Sequence, residues 1–190
     1  MDDLVPTIDL SPWTAAGGDA DARSRVAEEV DDACRRVGFL EVVGHGIPAA
    51  TIDAMRDATG AFFDLPVEEK LTSVPPHPGI NRGYAPLGSE ALSYSLGVEA
   101  PRPDLFEAFN IGEVDVPDDP WYADPYDFFA GNIWPAAVPR LEHALEEYFR
   151  EARRVALTMT DVFSVSLGLG VSGCHDPSGA TISRPGTGSA

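Results

Sequence analysis

The stretch that most constrains this chain is Arg35 to Pro48, RRVGFLEVVGHGIP, because it changes structural character twice within a few residues. It begins as the end of a polar helical pattern and becomes the apolar run Phe39 to Val43, with Glu41 as its only charge. It then breaks at Gly44-His45-Gly46 before Ile47-Pro48 opens a second helical pattern. Apolar and β-branched residues held between glycine breaks predict a strand near 39–43, and its low charge predicts that the strand is buried. The expected local order is helix, strand, glycine turn, helix.

The flanking patterns agree with that order. Ala22, Val26, Val30, Ala33, Cys34 and Val37 recur three and four residues apart between charges, which predicts an amphipathic helix over 20–37. Ile52, Met55, Ala58, Ala61, Phe62 and Phe63 do the same over 49–63, and Leu65-Pro66 stops the run, since the residue before proline avoids helical angles. Val67 to Lys70 restarts a short helix behind that proline. Val5 to Leu10 reads as a short strand near 6–10, where Pro6 suits a strand start. Val74 to Gly79 is a loop by composition, and Leu105 to Gly112 predicts a strand over 105–111 around Glu107. Gly38, Gly44, Gly46, Gly83 and Gly88 read as turn or close-approach positions.

The longest helical pattern runs from Pro139 to Leu169, roughly 46 Å at 1.5 Å per residue. Its second half, VALTMTDVFSVSLGL, is apolar nearly all round apart from Asp161, so it is expected to need protein on more than one side. Glu113 to Asp127 is acidic and broken by prolines, a solvated loop without the carboxylate spacing of a calcium loop. Residues 171–190 are dominated by Gly, Ser, Pro, Thr and Ala and contain no aromatic, which predicts a flexible tail.

Charge and cysteine usage narrow the partners. Thirteen basic and 31 acidic residues give a net charge of −18, which repels nucleic-acid phosphates and anionic lipid surfaces, so neither is an expected partner. Cys34 and Cys174 form no disulfide or metal-ligand spacing, and the acidic opening MDDLVPTIDL lacks the basic start of a signal peptide. A cytoplasmic location is the expectation.

Six ordered segments carry a resemblance. VPTIDL, GFLEVVGHGI, FFDLPVEEK, NRGYAPLGSE, LFEAFNIG and NIWP resemble, in order, the conserved-looking segments of the N-terminal domain of non-haem Fe(II), 2-oxoglutarate-dependent oxygenases of the isopenicillin-N-synthase-like family. LFEAFNIG departs from that pattern in having leucine and phenylalanine where lysine is common. The resemblance implies an α+β fold, with helices flanking short strands that would extend a double-stranded β-helix, or jelly-roll, barrel. It covers residues 1–170, taken as one domain, and stops before 171–190.

In the complete enzymes the cofactors are Fe(II) and 2-oxoglutarate, and the substrate is a small molecule. The resemblance implies iron held by a His-x-Asp pair and a distal histidine, and 2-oxoglutarate held by an Arg-x-Ser pair. His45, His77, His143 and His175 each lack an acid two positions on, and no serine has an arginine two positions before it. No catalytic or metal-ligating residue is therefore assigned, the barrel is expected to be missing from this chain, and the chain alone is expected to bind neither cofactor.

Arg82 and Tyr84 are the candidate substrate-binding residues. By the same resemblance their segment reaches the mouth of the barrel, and a guanidinium with a phenol suits a carboxylate-bearing molecule. The structural alternative is that Arg82 pairs with Glu90 or Glu107 and Tyr84 packs. His45 is read as a hydrogen-bonding residue at a strand end, His143 as exposed, and Cys174-His175 as no nucleophile pair. The functional expectation is the N-terminal part of an oxidoreductase, inactive alone. The alternatives are a standalone module that docks on a partner or separate barrel chain, and an unrelated acidic α+β protein. Self-association through the exposed apolar helix 139–169 is a further expectation.

Overall fold

The computed structural model describes residues 5–77, 79–89, 104–116, 118 and 129–169. Among the described residues, helices and four short strands make an α+β arrangement, in the order β1 Thr7–Asp9, α1 Ser11–Thr14, α2 Ala20–Arg36, β2 Glu41–Val43, α3 Ala49–Phe63, α4 Val67–Lys70, a 3-10 turn Leu71–Ser73, β3 Gly83–Ala85, β4 Ala108–Asn110 and α5 Arg140–Ser166. Two compact units divide these elements, one built from residues up to Ile47 and from Glu151 onward, the other from Pro48 to Arg150. The expected flexible tail, 171–190, lies outside the described residues.

In the first unit β1 and β2 pair in parallel, with Thr7, Ile8 and Asp9 opposite Glu41, Val42 and Val43. Parallel neighbours need a crossover, and α2 supplies it. The Asp19 carboxylate caps α2 by accepting from the amides of Asp21 and Ala22. At its other end Val37 and Gly38 both donate to the Ala33 carbonyl, and Gly38 takes a φ of +80°, the left-handed conformation that ends many helices. The core is Ile8, Leu10, Val26, Ala27, Val30, Ala33 and Val162. Cys34, expected on the apolar face of this helix, is exposed instead.

The burial expected for Phe39–Val43 is corrected by the structure. Phe39 is 74% exposed and Val43 44%, while Leu40 and Val42 pack against the core. A two-stranded sheet has α2 and its core on one face only, so alternate residues of the run point inward and the others outward. The strand itself is present, shortened to Glu41–Val43.

The second unit holds α3, α4, the 3-10 turn, the antiparallel pair β3–β4 and the first part of α5. Its core comprises Ala58, Phe62, Tyr84, Val138, Leu141 and Ala144. Phe62 is the hub, with ring centroids 4.7 Å from Phe109, 5.3 Å from Phe63 and 5.7 Å from Tyr84, all edge-to-face. Such pairs add about 0.5–1.5 kcal/mol each beyond buried area.

Two boundaries moved for identifiable reasons. The strand expected over 105–111 is confined to Ala108–Asn110, and Leu105 before it is 86% exposed. The helix expected over 139–169 ends at Ser166, because Gly168 adopts a φ of +73° while the amides of Gly168 and Leu169 fold back onto the carbonyls of Val165 and Ser164. Its apolar second half is only partly covered: Val162 is fully buried, but Phe163 is 40% and Leu167 65% exposed. No helix among the described residues is long and apolar enough to cross a membrane.

Candidate functional site

The sequence motifs of the second unit converge on β3. Its pairing with β4 sets Gly83, Tyr84 and Ala85 opposite Asn110, Phe109 and Ala108. Gly83 has a φ of +72°, and a Cβ there would lie 2.1 Å from the Ser73 carbonyl oxygen, so only glycine lets the strand lie against the 3-10 turn. This strand is absent from the sequence reading, because Arg-Gly-Tyr-Ala-Pro is too short and too glycine- and proline-broken to look like one.

Arg82 enters β3 with its guanidinium turned inward and only 9% of the residue exposed. Nε donates to the Ala130 carbonyl at 3.1 Å and Nη1 to the Asn81 carbonyl at 2.8 Å. The plane lies so close to Gly112 that a Cβ there would sit 2.0 Å from Nη2. Gly112 is also clamped by Asn132, whose carboxamide oxygen accepts from the Gly112 amide at 2.8 Å and whose nitrogen donates to the Gly112 carbonyl at 3.4 Å. The asparagine of the NIWP segment thus fastens the end of β4.

Tyr84 is 2% exposed, and its hydroxyl donates to Glu107 Oε2. Burial, reinforced by that carboxylate, pushes the phenol up to about 12. Lys70, 8% exposed, completes the group. Its Nζ donates to Glu107 Oε2 at 2.8 Å, to Oε1 at 3.1 Å and to the Phe63 carbonyl at 3.3 Å. It also stands 5.6 Å from the Tyr84 ring centroid and 6.0 Å from that of Phe63. Hydrogen bonds from Lys70 and then Tyr84 hold the Glu107 carboxyl below its ordinary range.

The sequence draws attention to Arg82 and Tyr84 and not to Lys70. A lysine in a four-residue helix reads as a solvated charge, whereas Glu107, one acid among apolar and aromatic residues, is the signal that could have pointed to a buried cation. Chemically, the trio is a neutralised network. The carboxylate is bound by the ammonium, and the phenol keeps its proton at neutral pH, so the arrangement holds elements together and supplies no free base or nucleophile.

The remaining candidates are placed plainly. His45 Nδ1 accepts from the Ile47 amide at 3.1 Å, the hydrogen-bonding role expected of it. Asp115 of the acidic loop pairs with Arg150 at 3.0 Å, while Asp119, Asp124 and Asp127 lie outside the described residues, as do Glu90, Cys174 and His175. His143 is exposed and lines an open groove of about 830 Å³ between α3 and the start of α5, with Ala54, Ala61 and Ala144 among its lining. Among the described residues, no three His, Cys, Asp or Glu side chains gather closely enough to hold a metal ion. The described donor set therefore does not fit an Fe(II) centre.

Known proteins give the arrangement its context. Residues 5–137 match the family described as non-haem dioxygenase in morphine synthesis N-terminal. The 2-oxoglutarate-dependent dioxygenase tropC of Talaromyces stipitatus is 34% identical over 173 residues, covering 90% of this chain and 50% of the relative. The Validamycin A dioxygenase of Streptomyces hygroscopicus subsp. limoneus is also 34% identical, over 89% of this chain and 45% of its own. Among solved structures, a 2OG-Fe(II) oxygenase family protein from Caulobacter crescentus superposes with a TM-score of 0.69 at 26% identity, over 88% of this chain and 50% of that one. The chain spans about half the length of the curated relatives it matches. It belongs to the Fe(II)/2-oxoglutarate-dependent oxygenase family, whose N-terminal domain it carries.

Proposed function

We propose that this chain is the N-terminal part of a cytoplasmic oxidoreductase that couples 2-oxoglutarate decarboxylation and O₂ activation at Fe(II) to oxidation of a small molecule, and that it is inactive by itself. The observation that carries the reading is the half-length match to dioxygenases, in a chain whose histidines lack the His-x-Asp spacing. Iron and 2-oxoglutarate would be held by a double-stranded β-helix barrel, and this half would supply support and part of the substrate border.

In this reading the segment Asn81–Ser89, with Arg82 and Tyr84, is the part of this half that borders the substrate. The polar ends of both side chains are engaged by protein groups, which favours a role in holding the segment's shape for the ligand. The second reading is a module that docks on a separate barrel chain. It is favoured by the apolar side chains of Phe39, Phe163 and Leu167, which the first unit leaves exposed.

Two assays test the proposal. The purified chain with Fe(II), ascorbate and 2-oxoglutarate is expected to form succinate no faster than a protein-free blank, and succinate above the blank would overturn the inactivity. Fusing the chain to the second half of the Validamycin A dioxygenase, joined where the similarity ends, is expected to restore Fe(II)-dependent turnover. A fusion that folds and binds Fe(II) but leaves 2-oxoglutarate untouched would overturn the oxygenase reading.

A further inference from the structure

Lys70 is a buried cation that the proposed function leaves without a task. All three of its ammonium hydrogens have acceptors, the two Glu107 oxygens and the Phe63 carbonyl, and the Phe63 and Tyr84 rings stand beside it. Those partners come from three places: the last residue of α3, the strand β3, and the residue just before β4. The neighbouring 3-10 turn meets β3 through a close backbone approach at Gly83; of its two hydroxyls, Thr72 Oγ1 donates back to the Glu69 carbonyl and Ser73 Oγ is buried with no hydrogen-bond partner among the described residues. Among the described residues, the side-chain polar tie between α4 with its 3-10 turn and the β3–β4 pair is therefore the Lys70 ammonium.

We propose that Lys70 is a positioning residue whose charge, seated among Glu107, the Phe63 carbonyl and two aromatic faces, sets the placement of the segment Asn81–Ser89. The functional weight of this inference rests on the reading that the segment borders the substrate. The physical reason is specific to a cation. Glu107 is partly buried and accepts from both Lys70 and Tyr84, so removing the ammonium leaves a carboxylate with a phenol alone to compensate it. Such a carboxylate moves toward water, and the Tyr84 hydroxyl and its strand are drawn with it. A second consequence is that the Phe63, Tyr84 and Glu107 surroundings form a seat for a primary ammonium, which this chain fills from within.

The test is amide hydrogen exchange on the full chain, comparing Lys70→Met, Lys70→Arg and Lys70→Ala. Lys70→Met is expected to raise exchange across Asn81–Ser89 by roughly tenfold while amides of α3 and α5 stay as they were, and Lys70→Arg is expected to restore protection. For Lys70→Ala, n-propylammonium is expected to slow exchange in the segment, and the neutral n-propanol is expected to leave it unchanged. Where Lys70→Met fails to fold, the propylammonium comparison on Lys70→Ala decides, read as recovered fold or raised Tm. Wild-type protection in Lys70→Met, failure of Lys70→Arg to restore it, or equal effects of amine and alcohol would each overturn the inference. Exchange needs no turnover, so an inactive fusion and an unmoved segment are separate failures.

Discussion

Arg154 Nη2 donates to the carbonyl oxygen of His45 at 3.1 Å, joining positions 109 residues apart within the first unit. The guanidinium is aimed by Glu151, one turn earlier on α5, which accepts from Nη2 at 2.7 Å and from Nε at 3.1 Å. Gly46 beside it takes a φ of +75°, the left-handed conformation that favours glycine. The glycine-histidine-glycine turn that organises the sequence is thus fastened through a backbone carbonyl to a late helix.

Arg154→Ala should cost about 1 kcal/mol, the net value of a part-exposed charged hydrogen bond, because water replaces some of what is lost. Arg154→Lys should recover only part, having one point charge where the fork serves both Glu151 and His45. Urea melts of the two variants check this, and an Arg154→Ala midpoint equal to wild type would show that the turn holds itself.

Gly44 gives a sharper contrast. It has a φ of +63°, and a Cβ would lie 2.0 Å from Asp9 Oδ1 and 2.4 Å from Ser11 Oγ, a side chain pair already bonded to each other at 2.6 Å. Gly38 has a φ of +80° but open space around its Cβ position. Gly38→Ala should therefore cost only the left-handed strain, about 1–2 kcal/mol. Gly44→Ala adds the loss of the Asp9–Ser11 contact and a clash with the Ser11 amide nitrogen, 2.9 Å from the Cβ position, and should be worse by about 1 kcal/mol. Thermal melts of the pair decide, and equal Tm values would mean that the β1 end yields freely.

Much of this was legible in sequence. The helices α2 and α3 follow apolar spacing almost to the residue, because their bounds are marked locally, by the Asp19 cap and Gly38 for α2 and by Pro48 and Leu65-Pro66 for α3. The exposure of Phe39 was not legible, since a run of apolar residues reports how many faces could be covered and not how many this unit covers. Strand β3 and Lys70 were missed for the same reason. A positive-φ glycine against Ser73, and a lysine turned into Glu107, are tertiary choices made by partners 10 and 37 residues away. Arg82 and Tyr84 stand out in the sequence, but their inward course depends on Ala130 and Glu107, distant in the chain.

The Lys70–Glu107–Tyr84 network should show itself at both ends of the pH scale. Glu107 has its folded pKa held below the ordinary value, so its contribution is present above the ordinary glutamate range and is lost as the pH falls through and below it. Tyr84 is shifted the other way, from 10 to about 12, so its contribution is full below pH 10 and is lost as the pH rises from 10 to about 12, where the unfolded phenol ionises first. The stability difference between wild type and Glu107→Gln should shrink on acidification, and that between wild type and Tyr84→Phe should shrink above pH 10. Differences that stay constant across both ranges would mean that the shifts do not contribute to folding.

The last expectation concerns surface left uncovered. In the first unit Phe39, Phe163, Leu167 and Leu169 are 74%, 40%, 65% and 68% exposed. A few hundred Å² of wet apolar surface forfeits several kcal/mol at roughly 25 cal/mol per Å², enough to drive association at micromolar protein. Opposing it is the net charge of −18, whose mutual repulsion between copies fades once added salt shortens the screening length. The chain should therefore self-associate more as salt rises, the reverse of an assembly held by ion pairs, and should bind a hydrophobic dye. Replacing Phe39 and Leu167 together by serine should remove most of both signals while leaving the Tm nearly unchanged, since neither side chain belongs to the core around Val162. Light scattering after size-exclusion chromatography at low and high salt provides the measurement. A single monomer peak at both salts without dye binding would show that these side chains do not drive association of the chain.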